Sequence, residues 1–297
     1  MDAQDVLNVV VIGSIYTLFA LGLTLSWGVL NILNLAHGAT FMFGGLLAYL
    51  VTRHSALSLW IVLPIAAVAC GLIAVLLEVV AYRQIRRRVA DLHASELATM
   101  IASIGAGAML VAIAEKITSN QLVGVNPNTF KVHGTHLLGL RITNLEIVII
   151  VTAALLSVAL VLFVTRSRHG RALRALAQDP YTCGLLGISP DRLAAATMFV
   201  SGALAGVAGV LLAMQLNTVE AHLGEPLLLK AFAVIILGGV GSVTGAIASA
   251  FILALAETMT DVYVSTSVSD AVAFGLIILL LLFRPQGLFS RVAWQRA

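Results

Sequence analysis

Arg166, Arg168, Arg171, Arg174 and Arg192, five of the chain's 14 arginines, fall within residues 166–192. Guanidinium groups stay charged and present a rigid fork of donors that suits carboxylates. They do no proton transfer near neutral pH, so the chemistry open to this interval is recognition. Gly170 precedes Arg171-Ala-Leu-Arg174-Ala-Leu-Ala-Gln178, with Leu173 and Leu176 three apart and Arg171 and Arg174 three apart. On a helix that spacing lays an apolar stripe beside a basic one. Asp179-Pro180 reads as an N-cap and first helical residue, opening a turn that ends at Gly187, a natural left-handed stop. Ser189-Pro190-Asp191 repeats the capping pattern before the next apolar stretch.

Two further groups stand out. Asn31, Asn34 and His37 lie three apart in an apolar segment. On one helix they would form a single slanting polar stripe, either lining a pathway for a solute or bonding helix to helix. Gly238, Gly239, Gly241, Ser242 and Gly245 interrupt the apolar segment 227–257 and allow a break, close helix packing, or both. No catalytic residues are assigned, because no nucleophile–base pair emerges. No metal site is assigned either, because the histidines are scattered away from thiols and carboxylates. A phosphate-cradling loop needs Gly-x-x-x-x-Gly-Lys-[Ser/Thr], and none of Lys116, Lys131 and Lys230 follows a glycine. Any use of ATP must come from another polypeptide, and no cofactor is expected in this one.

The elements that must hold these residues follow from composition. The 297 residues are 60% hydrophobic and 10% charged, with a mean hydropathy of +1.03. Ordinary soluble domains carry about a quarter charged residues, so the solvent here is lipid. A span needs about 20 apolar residues. Segments at 6–26, 28–50, 57–81, 97–114, 145–165, 193–216, 227–257 and 268–283 qualify. The expected fold is an all-α polytopic membrane protein of about eight apolar segments, with a glycine-broken or re-entrant helix at 227–257. Segments one and two meet at Trp27-Gly28, read as a tight hairpin or a broken pair. The start, Met1-Asp-Ala-Gln-Asp5, lacks the positive region of a cleaved signal, so the first segment is expected to remain as a span. The net charge of +3 sits at span ends and is no nucleic-acid footprint. Cys70 and Cys183 are expected to be reduced.

Basic residues set orientation. Arg83, Arg86, Arg87 and Arg88, the five arginines of 166–192, and Arg284, Arg291 and Arg296 place 12 of 17 basic residues in three intervals, assigned to the cytoplasm. Glu220, Glu225, Asp261 and Asp270 then face outward, as does the N-terminus, while the C-terminus is cytoplasmic. For this parity to close, 227–257 must enter and leave on the outer side. The favoured geometry is two half-length helices meeting at a glycine break at membrane depth, the usual mark of a transport pathway. The alternative is two short spans with the glycine turn on the cytoplasmic side. Residues 115–144 read as an external loop with turn chemistry and room for a small hairpin. Glu78 is the one carboxylate placed clearly inside an apolar run, and Glu257 is read as interfacial. Glycine-interrupted regions at 8–50 and 201–257 hint at a duplicated architecture. Orientation explains the charges of 166–192, but not its caps or its amphipathic order; these predict a docking surface, with packing on the membrane surface as the alternative.

Several stretches resemble one family. Gly170-Arg-Ala-Leu-Arg174-Ala-Leu-Ala-Gln-Asp179 with Leu185-Leu-Gly187-Ile is similar to the cytoplasmic coupling loop of branched-chain amino acid ABC transporter permeases. Gly13-Ser-Ile-Tyr16, Ala20-Leu-Gly-Leu-Thr24 and Asn31-Ile-Leu-Asn34-Leu-Ala-His37-Gly38 resemble the N-terminal signature of their H-type subunit. Lys230-Ala-Phe-Ala-Val-Ile-Ile-Leu-Gly238-Gly-Val-Gly241-Ser242 with Gly245, and Arg284-Pro285-Gln-Gly287-Leu-Phe289, resemble its late glycine-rich segment and tail. The resemblance implies a single permease domain over 1–297 in the inner membrane, forming half of a pathway for branched-chain or related small amino acids. It implies four kinds of partner: an M-type permease subunit, two ATP-binding subunits, a periplasmic substrate-binding protein and the lipid bilayer. Gly170, Arg171, Arg174, Asp179 and Gly187 would form the ATPase-coupling loop. A permease for urea or short amides is the alternative within the superfamily. An ATP-independent secondary transporter or channel is the alternative from a different class.

Overall fold

In a computed structural model of the chain, residues 1–53, 55, 57–89, 91–137, 140–265, 271, 274–275, 278, 282–284 and 287–289 are described. They form a helical bundle with one two-stranded hairpin. In order these are α1 Ala3–Leu30, α2 His37–Thr52, α3 Leu59–Leu77, a π turn Glu78–Tyr82, α4 Arg83–Arg88 and α5 Leu92–Thr118. Then come β1 Gly134–Leu137, β2 Leu140–Thr143, α6 Asn144–Arg166, α7 Arg168–Gln178, α8 Pro180–Leu185, α9 Pro190–Leu216, α10 Gly224–Gly238 and α11 Val243–Tyr263. Among the described residues six helices are long and apolar enough to cross a membrane: α1, α3 run on through α4, α5, α6, α9 and α11. The chain is a multi-pass membrane protein. Leu72 and Leu76 of α3, Ile101 of α5 and Leu155 and Val158 of α6 are more than half exposed. Such side chains suit a lipid-facing surface.

Eight continuous segments are not found. Helix α1 runs through Trp27-Gly28, where a turn was expected, to a C-cap at Asn31. Segment 28–50 is therefore split, with residues 31–36 outside any helix. Segment 227–257 is divided between α10 and α11. Most of 268–283, including Asp270, lies outside the described residues, as do Arg291 and Arg296. The loop 115–144 does hold a small hairpin, antiparallel with Gly134 opposite Thr143.

Two units of long, short and long helix account for the glycine-interrupted regions. In α1–α2–α3 and in α9–α10–α11, the first helix ends on an asparagine, Asn31 or Asn217, each with φ 52°. Asparagine tolerates that left-handed position. A non-helical stretch follows, then a helix of 16 residues (α2) or 15 (α10). The third helix of each unit packs along the first helix of the other, α3 on α9 and α11 on α1. The short helices touch where they begin: a Cβ on Gly38 would strike the carbonyl of Gly224, and one on Gly224 that of Gly38.

The units run in opposite senses between two distinct ends. At the hairpin end the Met1 ammonium donates to the Tyr263 hydroxyl at 2.6 Å. There too the Arg141 amide donates to Gln4 at 3.1 Å, and Val123 pairs with Val219. At the other, basic end Asp191 of α9 accepts from Arg83 and, at 2.6 Å, from Arg87. The core between them is a seam of small residues: Gly202 and Gly206 sit against α3 near Cys70, and Gly209 against α2 near Phe41.

A Cβ at Gly209 would overlap the Phe41 carbonyl oxygen, and backbone cannot rotate out of the way. Gly209→Leu is expected to destabilise the protein by about 2–3 kcal/mol or more, read as a lower melting temperature in detergent. An unchanged melting temperature would contradict this packing.

Candidate functional site

Sequence fixes the basic-end element locally. Ser167 caps α7 by accepting from the Gly170 amide at 2.8 Å. Gly170 is buried because any side chain there would meet the Phe163 and Val164 carbonyls. Leu173 and Leu176 are buried against the bundle, so the predicted apolar stripe is the packing face. Arg174 donates to the Val164 carbonyl in the last turn of α6, which fastens α7 to α6. Arg171 stays exposed, and among the described residues no ion pair of its side chain is found. Asp179 accepts from the Thr182 amide at 3.1 Å, capping α8. Gly187 has φ +79°, a conformation glycine adopts freely. The turn leaves Leu185 and Leu186 72% and 74% exposed. The outward surface therefore includes Arg171 and the leucine pair, on a base held by Arg174 and Asp179.

Asn31, Asn34 and His37 do not form a stripe on one helix. Asn31 caps α1, Asn34 lies in the non-helical stretch and His37 opens α2. Asn34 Oδ1 accepts from the Tyr82 hydroxyl at 2.9 Å and the Ala36 amide at 3.2 Å. The His37 ring stacks on Phe19 at 4.9 Å, and its Nε2 donates to the Phe19 carbonyl at 3.1 Å. Ser103 of α5 accepts from the Leu35 amide at 3.0 Å. These bonds replace those that a helix would have made where lipid offers none. Of the two readings, bonding within the bundle describes Asn34 and His37.

The glycine break lies elsewhere than at mid-depth. Gly241 abuts Gly28, in the last turn of the 28-residue α1. The Leu288 amide donates to the Leu237 carbonyl at 2.8 Å, which ties the tail to the same place. Both α10 and α11 thus run to the basic end, and the turn lies there beside the end of α1 instead of midway along the bundle. Gly239 and Gly241 have φ +90° and +80°, Ser242 caps α11 by accepting from Gly245 at 3.1 Å, and Gly238 and Gly245 pack backbone to backbone. These residues are spaced to make a hairpin of two helices, which needs both tight φ values and close approach.

Folding back brings together charges that the sequence reading separated. Glu257 is buried within the bundle, 5% exposed. Its Oε1 lies 3.0 Å from the Lys230 ammonium and its Oε2 accepts from the Tyr16 hydroxyl at 2.6 Å. Lys230 also donates to Tyr16 at 3.2 Å, so α1, α10 and α11 share one charged junction. Glu78, fully buried, pairs with Arg86. The signal for the first pair was present: a lysine and a glutamate on either side of one glycine break, inside one apolar segment. Toward the hairpin end a cavity of about 770 Å³ opens beside Lys230 and Tyr16. At its rim His222 faces Glu225 at 2.9 Å and Glu115 at 3.0 Å through its two ring nitrogens. Those carboxylates, Glu225 first, hold the imidazole above its ordinary 6.5. Among the described residues no cluster fit for a metal is found.

The chain matches the family described as the permease component of the branched-chain amino acid transport system over residues 6–281. It is 33% identical to LivH, the high-affinity branched-chain amino acid transport system permease protein of Salmonella typhimurium, across 97% of this chain and 95% of that one. Identity to the like-named BraD of Pseudomonas aeruginosa is 34%, with the same coverage. Identity to LivM of Escherichia coli is 28%, over 97% of this chain and 71% of that one. No solved structure matches.

Two outcomes are expected. Removing one member of a buried pair strands the other, whereas removing both does not. Lys230→Met should therefore cost about 3 kcal/mol more than Lys230→Met with Glu257→Met, measured by denaturation in detergent; equal costs would contradict the pairing. The His222 contacts stabilise fully below pH 6.5 and are lost as pH rises through the higher folded value. The melting-temperature advantage of the native chain over His222→Gln should shrink across that rise. A constant difference would contradict the clamp.

Proposed function

The chain belongs to the branched-chain amino acid transport permease family, and from that premise we propose that it is one membrane subunit of an ATP-binding-cassette importer, forming half of the pathway for branched-chain or related small amino acids. The relatives are named as permease proteins of this transport system. The H-type and M-type relatives suggest a pair of permeases, so this chain joins an M-type partner. Two ATP-binding subunits act on its basic end. A substrate-binding protein delivers solute at the hairpin end. In this reading the basic end is cytoplasmic, the N-terminus is outside and the membrane is the inner one.

The observation that carries the reading is the build of α7 and α8. A displacement made by nucleotide closure passes through a contact only if the contact is stiff. Here the element is anchored from below by buried Leu173 and Leu176, by Arg174 on the α6 carbonyl and by two side-chain caps. Above that base, Arg171, Leu185 and Leu186 are exposed. An exposed leucine pair and an exposed cation on one anchored element suit a groove with an apolar floor and an acidic rim on each ATP-binding subunit. Helix α7 packs on α6, α1 and α9, so a push on it reaches α1 directly, and through Gly28 of α1 it reaches the glycine turn between α10 and α11.

Leu186→Asp tests the contact with little risk to the fold, because the side chain is 74% exposed. Burying a new charge at the docking surface should weaken co-purification of the ATP-binding subunits about tenfold or more, with transport falling in parallel. Native yields of the complex and native uptake would overturn the docking role.

A further inference from the structure

The cavity of about 770 Å³ beside α1, α9 and α10 has a mixed lining that asks for a particular solute. Its walls are aliphatic, with Ile12, Ile15, Leu212 and Leu227 among them. In that wall Lys230 is only 18% exposed. Its ammonium lies 3.0 Å from Glu257 and 3.2 Å from the Tyr16 hydroxyl. At the rim the exposed Glu220 and Glu225 line the same space. At the same rim His222 pairs with Glu225, so Glu220 is the rim carboxylate beyond that pair. A fixed cation inside with acidic groups in excess at the mouth makes the cavity dipolar.

We infer that this cavity is a solute subsite, in which Lys230 receives the carboxylate of an aliphatic amino acid and the rim carboxylates face its ammonium. The inference rests on the proposed transport function and names where in this chain the solute is met. Each part of the zwitterion finds its complement: the aliphatic side chain the apolar wall, the carboxylate a charge-assisted donor, and the ammonium the acidic mouth. An amine lacking the carboxylate would leave the Lys230 donor unmet. A sugar would leave its hydroxyls unmet on aliphatic walls.

Glu257 and Tyr16 give the lysine its fitness for a transient contact. A lone buried ammonium would lose its proton or hold an anion too firmly. Paired with Glu257 it is held in place, while the junction's net charge stays near zero. The arriving carboxylate then adds to a neutral pair and can leave again, as transport requires. Tyr16 orients both partners by hydrogen bonding to each.

Thiol protection on the assembled complex in detergent tests this without any binding protein to do the selecting. Gln215, exposed and part of the lining, takes the reporter substitution Gln215→Cys, while Cys70 and Cys183 are buried. Millimolar leucine should slow maleimide labelling at position 215, and leucinamide, which lacks the carboxylate, should not. Adding Lys230→Met with Glu257→Met, which leaves no stranded charge, should raise the leucine needed about tenfold or more, with the complex still eluting as one species. Labelling indifferent to leucine, equal protection by leucinamide, or undiminished protection in the doubly substituted chain would each overturn the site. Leucine uptake by the reconstituted complex separates the two readings: uptake without protection removes the subsite and leaves the transport function standing. Protection without uptake removes the transport function and leaves the subsite.

Discussion

Lipid offers no hydrogen bonds, and that constraint organises this chain more than any single contact. Every departure from helix inside the apolar bundle must be answered by side chains of the chain itself. After α1, the answers are Asn34, Ser103 and Tyr82. At the turn between α10 and α11 Ser242 accepts from the Gly245 amide. Charges obey the same demand: Glu78 is met by Arg86, and Glu257 by Lys230 and Tyr16. Polar residues in the spans are thus mostly committed to the bundle, which leaves few to touch solute and makes those few informative.

Glycine carries the complementary task. Without a hydrophobic drive between helices in lipid, association rests on close packing of small residues. The seams of α2 and α3 against α9, and the meeting of Gly38 with Gly224, let two oppositely running units interlock with their third helices exchanged. Such inverted units are a recurrent way to build a transporter around a site between them. Here the charged junction joins α1 of one unit to α10 and α11 of the other.

Much of this was legible in the residues. Caps are local, so Asp179 and Gly187 are readable from order alone, and so is the stripe of Leu173 and Leu176; the Ser167 cap is not among those read, and Ser189 precedes α9 without a side-chain cap bond. The existence of the break at 238–242 was equally local. Its depth was not: a glycine run marks a turn without saying how far the flanking helices reach. Gly28, whose contact with Gly241 sets that depth, is distant in sequence. Asn31, Asn34 and His37 were assigned to one helix because apolar neighbours continue the helical pattern. The left-handed Asn31 ends it instead, a choice that tertiary bonds from α5 and the π turn make affordable. Arg171 and Arg174 look alike in sequence, yet one faces outward and the other fastens α7 to α6. Glu257 ends an apolar run, and nothing local points to Lys230, its partner across a turn.

In the proposed reading α7 and α8 form a docking element at the basic end, and the drive for transport comes from separate ATP-binding subunits. Uptake of labelled leucine into proteoliposomes measures this directly, with the purified chain alone compared with the chain plus its permease partner, ATP-binding subunits, binding protein and ATP. The account predicts accumulation only in the full assembly with ATP present. Accumulation by the chain alone, without nucleotide, would contradict it.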